Sequence, residues 1–120
     1  MNECMEIDKP LITIVMAVYE PNMQWLKEQL LSLEAQTYPN LELIIRDDCS
    51  PTVPFEQIRQ CASECIRSFP YEISRHERNA GSNQTFEWLT RQARGEYIAY
   101  CDQDDVWLSE KIETLYQAVL

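Results

Sequence analysis

Leu11-Ile12-Thr13-Ile14-Val15-Met16-Ala17-Val18 is an almost unbroken apolar run rich in β-branched residues. Without polar alternation, such a run predicts a central strand of a parallel sheet, covered on both faces. Tyr19-Glu20-Pro21-Asn22 breaks it, because Pro21 cannot continue a central strand and Asn22 is suited to cap a helix. Outward from there, Leu26, Leu30 and Leu33 recur at helical spacing and predict a helix over 23–36. Tyr38-Pro39-Asn40 is a turn. A second strand, 41–45, runs into Arg46-Asp47-Asp48-Cys49-Ser50-Pro51, and a second helix is predicted from Pro54 to Ser68 with Phe55, Ile58, Cys61, Ala62 and Cys65 inward. Residues 71–75 alternate and read as a peripheral strand. Asn79-Ala80-Gly81-Ser82-Asn83 is a glycine-bearing loop before a helix over 84–93, with Phe86 and Leu89 inward. Arg94-Gly95-Glu96 turns the chain into a fourth strand, 97–101. A last helix starts near Ser109, whose hydroxyl is placed to cap it, and carries Ile112, Leu115, Tyr116 and Val119. The order β-α-β-α-β-α-β-α implies right-handed βαβ units in a Rossmann-like, mostly parallel α/β sheet with flanking helices. Residues 1–9 read as a flexible polar lead-in, and 10–120 as one unit that stops at a helix with no closing polar tail, as a part of a larger domain would.

The 120 residues suffice for one small core, and their net charge of −10 argues against nucleic acid or anionic lipid as a partner. Five cysteines (Cys4, Cys49, Cys61, Cys65 and Cys101) make an odd number with no CxxC pair. They read as reduced thiols of a cytoplasmic protein, with Cys61 and Cys65 as small buried side chains. No apolar run is long enough for a membrane span. His76, between Arg75 and Glu77, reads as a surface residue. Arg75 and Arg78 are expected to pair with Glu72 or Glu77. Trp25 and Trp88 are expected to pack helices on the sheet. Trp107 stands equally for packing and for ligand contact.

The chemistry concentrates in Tyr97-Ile98-Ala99-Tyr100-Cys101-Asp102-Gln103-Asp104-Asp105-Val106-Trp107. A strand here delivers three carboxylates within four residues to its C-terminal tip, the edge at which open α/β sheets bind ligands. On extended backbone, Asp102 and Asp104 would point the same way and converge on one divalent ion. Asp47 and Asp48 end a second parallel strand at the same edge. A nucleoside diphosphate could lie across that edge, with Asp48 accepting from a base N–H and Mg²⁺ or Mn²⁺ on Asp102 and Asp104 bridging the phosphates. A metal is essential to that arrangement, since bare carboxylates repel phosphate. The plainer alternative is a polar loop whose carboxylates cap the following helix.

Pro10–Glu20, Leu30–Ile45, Asp47-Asp48-Cys49-Ser50 and Asp102-Gln103-Asp104-Asp105-Val106-Trp107 together resemble, in order and spacing, the family 2 glycosyltransferases. The Asp-Gln-Asp-Asp-Val-Trp segment resembles their rhamnosyltransferase-like branch. The resemblance implies a GT-A fold and transfer of a sugar, with inversion, from a nucleotide-diphosphate donor, UDP- or dTDP-linked, to a glycan or lipid-linked acceptor of surface polysaccharide synthesis. It implies that Ala17, Tyr19 and Glu20 line the nucleotide pocket, that Asp48 contacts the base, and that Asn79, Gly81 and Asn83 lie near the ribose. Asp102 and Asp104 would be the DXD motif holding Mn²⁺ or Mg²⁺, with Gln103 between them on the donor. The general base of such enzymes lies well after that motif, beyond Leu120, so this chain would be the donor-binding half. A cytoplasmic location follows, with any membrane attachment through other regions, and an uncovered sheet edge would favour a homo-oligomer. Two residues depart from the pattern: Cys49, where the family usually has Gly or another small or polar residue, and Glu20, where it often has Asn.

The same residues admit rival readings. Asp102-x-Asp104-x-Val106 after a strand also opens the haloacid-dehalogenase-type phosphatases, but too little chain follows for their Lys and further acids. A phosphoacceptor receiver would carry its acidic pair after the first strand, where this chain has Ala17-Val18-Tyr19-Glu20. A non-catalytic nucleotide-binding or interaction module of the same fold is the remaining alternative.

Overall fold

The computed structural model describes residues 9–120. The lead-in and Cys4 therefore lie outside the described residues, apart from Lys9, whose ammonium pairs with Glu113 at 2.7 Å. Four strands, β1 (Ile12–Val18), β2 (Leu41–Asp47), β3 (Tyr71–Arg75) and β4 (Tyr97–Cys101), alternate with four helices, α1 (Met23–Glu34), α2 (Phe55–Cys65), α3 (Ser82–Gln92) and α4 (Lys111–Val119). The strands form one parallel sheet in the order β3-β2-β1-β4. The run that reads as a central strand is central: Ile12 through Met16 and Val18 are all buried. Ile14, Met16, Leu26, Leu30, Leu33, Leu43, Ile45 and Ile58 form the core on one face. Val15, Ile44 and Leu89, with Phe86 and Trp88, form a smaller one on the other. Cys61 and Cys65 are buried in the larger core, and burial pushes the Cys61 thiol up to about 11.

Several boundaries differ from the sequence reading for identifiable reasons. Asn22 caps α1 as expected, its side chain accepting from the Trp25 N–H at 3.1 Å. Helix α2 stops at Cys65 rather than Ser68. Ile66 turns into the core at 4% exposure, and the N–H groups of Arg67 and Ser68 donate to the Glu34 carboxylate instead of to their own helix. Strand β2 runs two residues further than expected because β3 pairs alongside it, Arg46 opposite Ser74 and Asp47 opposite Arg75. Helix α3 begins at Ser82, after Gly81 at φ +89°. Helix α4 begins at Lys111, and the Ser109 hydroxyl donates to the Glu110 carboxylate rather than capping. Trp25 does not pack on the sheet; it is 54% exposed.

Gly95 sets the approach of β4 to β1. A Cβ there would lie 2.7 Å from both the Leu11 carbonyl oxygen and the Thr13 nitrogen. Beside it, the buried Glu42 carboxylate accepts from the Thr13 hydroxyl at 2.6 Å and the Arg94 N–H at 3.0 Å, and pairs with the Arg94 guanidinium. Burial alone would raise the Glu42 carboxyl, but these donors outweigh it and hold it below the usual carboxylate range.

Candidate functional site

All four strands run the same way, so the tips of β1, β2 and β4 share one edge. The backbone is unusual there in a consistent manner. Glu20 after β1 (φ +47°), Cys49 after β2 (φ +58°) and Asp104 after β4 (φ +73°) are all left-handed, and none is glycine. Backbone held in such regions costs of order 1–3 kcal/mol per residue and concentrates where a site demands it. The two departures from the family pattern, Cys49 and Glu20, are two of these three positions. Glycine and asparagine are the residues that enter left-handed backbone most readily.

Each loop is locked by its own side chains. The Asp48 N–H donates to the Val18 carbonyl at 2.8 Å and joins the β2 tip to β1. The Asp48 carboxylate, 4% exposed, accepts from the N–H groups of Ala80 at 2.7 Å and Gly81 at 2.9 Å and from the Asn79 amide at 3.1 Å. It therefore anchors the loop that leads into α3. Asp47 is fully buried, pairing with Arg75 and accepting from the Ser50 hydroxyl at 2.6 Å. It is an internal tie, and Arg75 is spent on it rather than on Glu72 or Glu77. The backbone N–H of Tyr19 donates to Gln103 Oε1 at 2.7 Å, fastening the β1 tip to the acidic turn.

These ties enclose an open groove of ≈ 300 Å³, lined by Ala17, Val18, Tyr19, Asp48, Asn79, Gly81, Ser82, Thr85, Phe86, Asp102 and Gln103. Of the residues read as nucleotide-facing, all but Glu20 and Asn83 line it. The Glu20 carboxylate turns away to accept from the N–H groups of Thr52 at 2.8 Å and Val53 at 3.2 Å and from the Thr52 hydroxyl, and the bond from that hydroxyl leads in lowering its pKa. Asn83 lies in the first turn of α3 and is exposed, because the helix starts two residues earlier than its sequence suggests.

The acidic cluster also departs from expectation. β4 ends at Cys101, and the Asp105 N–H donates to the Asp102 carbonyl at 3.1 Å, so residues 102–105 form a turn. Strand alternation does not govern Asp102 and Asp104. Asp102 lines the groove, whereas Asp104 lines a neighbouring hollow with Trp25, Glu28 and Val106. Among the described residues no group of three or more His, Cys, Asp or Glu is placed to hold a metal ion. The donor set thus does not fit a closed protein cage. It does fit a Mg²⁺- or Mn²⁺-type site, in which one or two carboxylates share the ion with substrate phosphates and water. Both carboxylates are exposed, and no hydrogen bond or ion pair among the described residues engages either one. No Lys or Arg lines the groove. Its positive contribution from the protein is the N-terminus of α3, which has no side-chain cap.

Other residues fall outside the groove. Trp107 is 6% exposed and packs in the core, with the Lys111 ammonium 4.6 Å from its ring centroid. His76 is half-buried rather than at the surface. Its Nδ1 accepts from Arg46 Nε at 2.7 Å, and the Arg46 guanidinium lies 3.9 Å from the Trp88 ring centroid. Burial first, then the Arg46 charge, lowers the His76 pKa, the direction that favours Nδ1 as an acceptor. Sequence reading missed Thr85, which is buried, donates to the Gly81 carbonyl at 2.8 Å and lines the groove floor. Its position four residues after the glycine was the available signal.

Comparison with known proteins places this architecture. The family model described as Glycosyl transferase family 2 matches residues 13–120. An uncharacterized glycosyltransferase of Methanocaldococcus jannaschii is 32% identical over 117 residues, covering 93% of this chain and 38% of that protein. The structure of Staphylococcus aureus TarS 1–349 in complex with UDP-GlcNAc superposes with a TM-score of 0.78 at 23% identity, covering 90% of this chain and 30% of that one. The mannosyltransferase PcManGT of Pyrobaculum calidifontis, in complex with GDP-Man and Mn²⁺, gives 0.78 at 22% identity, covering 95% and 32%. The chain thus spans about a third of the length of these proteins, and the two structures share its GT-A fold.

Proposed function

This chain belongs to glycosyl transferase family 2, and on that premise we propose that it is the donor-binding part of an enzyme transferring a sugar from a nucleotide diphosphate to an acceptor. The observation that carries the reading is the groove itself. Residues from three strand tips converge on it, its walls carry carboxylates and no basic side chain, and a helix N-terminus opens into it. An anionic donor in such a groove needs a divalent cation beside it. Asp102 at the groove and Asp104 in the adjoining hollow, whose carboxylates have no hydrogen-bond or ion-pair partner among the described residues, would hold Mn²⁺ or Mg²⁺ beside it. When bound, such an ion neutralises the charge that builds on the diphosphate as the sugar leaves. The chain's own part is to position: Gln103 ties the turn to Tyr19, Asp48 fixes the loop 79–81, and Ala17, Tyr19 and Phe86 supply apolar wall. The complexes of TarS with UDP-GlcNAc and of PcManGT with GDP-Man and Mn²⁺ support the same ligand class on this fold.

The finer reading is an inverting transferase with a UDP- or dTDP-linked donor, whose general base is supplied by chain beyond residue 120. It acts in surface polysaccharide synthesis on a glycan or lipid-linked acceptor, in the cytoplasm. The segment Asp102–Trp107 supports a place in the rhamnosyltransferase-like branch. The test is titration calorimetry of UDP and dTDP with and without Mn²⁺, repeated on Asp104→Asn. Asparagine is suited to that left-handed position, so the substitution removes the charge without straining the turn. Mn²⁺-dependent binding that disappears in Asp104→Asn is the expected result. A folded protein whose nucleotide binding ignores Mn²⁺ would overturn the metal-assisted reading.

A further inference from the structure

Helix α1 carries two inward stripes. Leu26, Leu30 and Leu33 enter the core. Gln29 and Ser32, joined by Gln36 two residues past the end of the helix, form a polar stripe that bonds to main chain between Asp102 and Ile112, just after β4. Gln36 donates to the Leu108 carbonyl at 2.7 Å and accepts from the Ile112 N–H at 3.0 Å. Ser32 Oγ accepts from the Trp107 N–H at 3.1 Å. Gln29 reaches the acidic turn. Its Nε2 donates to the Asp102 carbonyl at 2.6 Å and to Cys101 Sγ at 3.1 Å, and its Oε1 accepts from the Asp104 N–H at 3.3 Å.

Gln29 is fully buried, at 0% exposure. A buried amide is costly unless both its ends are satisfied, and an apolar residue of the same length would fill this position without that demand. The orientation of the amide is fixed by its surroundings. Reversed, it would set oxygen against the Asp102 carbonyl and N–H against the Asp104 N–H. The side chain therefore brackets Gln103, holding the residue before it by its carbonyl and the residue after it by its N–H. These two residues are Asp102 and the left-handed Asp104.

We propose that Gln29 is a positioning residue of the acidic turn: from the buried side of α1 it fixes the two backbone groups that aim the Asp102 and Asp104 carboxylates at a metal-bound diphosphate. The inference rests on the functional reading above and adds to it a residue that touches neither metal nor donor.

Gln29→Met keeps length and apolar bulk and removes all three bonds. Ser32→Ala removes a bond of the same stripe to Trp107 and leaves the acidic turn held. UDP is titrated into each protein with and without Mn²⁺. In Gln29→Met the gain in UDP affinity that Mn²⁺ confers should fall about tenfold or more, as for other groups that orient metal ligands. Metal-free UDP affinity should be unchanged, and Ser32→Ala should keep the full gain. A full gain in Gln29→Met, or an equal loss in Ser32→Ala, overturns the proposal. If the unaltered protein itself shows no Mn²⁺-dependent gain, it is the functional reading that fails. Amide exchange at Asp104 then decides the positioning role: faster exchange in Gln29→Met than in Ser32→Ala supports it, and equal rates overturn it. Should Gln29→Met not fold, Gln29→Leu carries the same comparison, since it removes the same three bonds with a shorter apolar side chain.

Discussion

Left-handed backbone at Glu20, Cys49 and Asp104 is bought from different sources. Glu20 is held by three bonds from Thr52 and Val53, and Asp104 by Gln29. Among the described residues, the Cys49 side chain has only a weak 3.6 Å contact from its thiol to the Glu77 carbonyl. Cys49→Gly should therefore stabilise the protein by about 0.5–1 kcal/mol, the relief of left-handed strain less the added freedom of the unfolded glycine. Urea denaturation measures it, and a lower midpoint would show that the cysteine side chain does more than tolerate its position. Sequence comparison marked Cys49 and Glu20 as departures without saying why. Backbone sign supplies the reason, and no single-residue pattern encodes it. The same limit explains Asp102 and Asp104. Their spacing is legible, but alternation applies to a strand, and the strand ends at Cys101, before either aspartate.

At the level of elements, the helices were legible from apolar periodicity and the central strands from almost unbroken apolar runs buried on both faces. What was not legible was which polar residues face inward. Thr85 is satisfied by the Gly81 carbonyl four residues back, but Gln29 and Glu42 are buried because partners distant in sequence satisfy them, and those partners are known only once the chain is folded. The same long-range bonding ended α2 early and started α3 early, which moved Asn83 off the groove. Gly95 is the sharpest case of an element placed by a single residue. Its missing side chain lets the 94–96 turn lie against β1, where the Gly95 N–H donates to Thr13 Oγ1 at 2.8 Å. Gly95→Ala meets backbone atoms, which cannot swing aside, so a loss of about 2 kcal/mol is expected, within the range for overpacking. A thermal or urea midpoint unchanged from the parent would mean that β4 can slide outward at little cost.

For the whole molecule, the sheet is finished on neither side among the described residues. β3 and β4 are its edges. β4 is the more exposed of the two in large apolar groups, with Tyr97 at 40% and Tyr100 at 54%, and α4 beside it leaves Leu115 at 51% and Val119 at 56%. An edge of this kind pairs with another chain unless charge or cover prevents it. The 120-residue protein should accordingly associate through β4 as its concentration rises, and Tyr100→Lys should weaken that association. Light scattering across a concentration series reads both. A constant monomer mass for the parent protein would show that the exposed rings and helix face are not adhesive.

Gln29 and Ser32 of α1, with Gln36 just past its end, bond to residues 102–112 through main-chain atoms, and that has a consequence for change over time. Apart from Trp107 and Ile112, which pack in the core, such bonds leave the exposed side chains of the segment at liberty. Asp105, Val106 and Leu108 are exposed, and their side chains could be exchanged while the bonds from Gln29, Ser32 and Gln36 stayed in place. The segment beside the groove is in this respect a replaceable lining on a fixed frame. New chemistry could be tried there, by mutation or in a library, without refolding the protein that presents it.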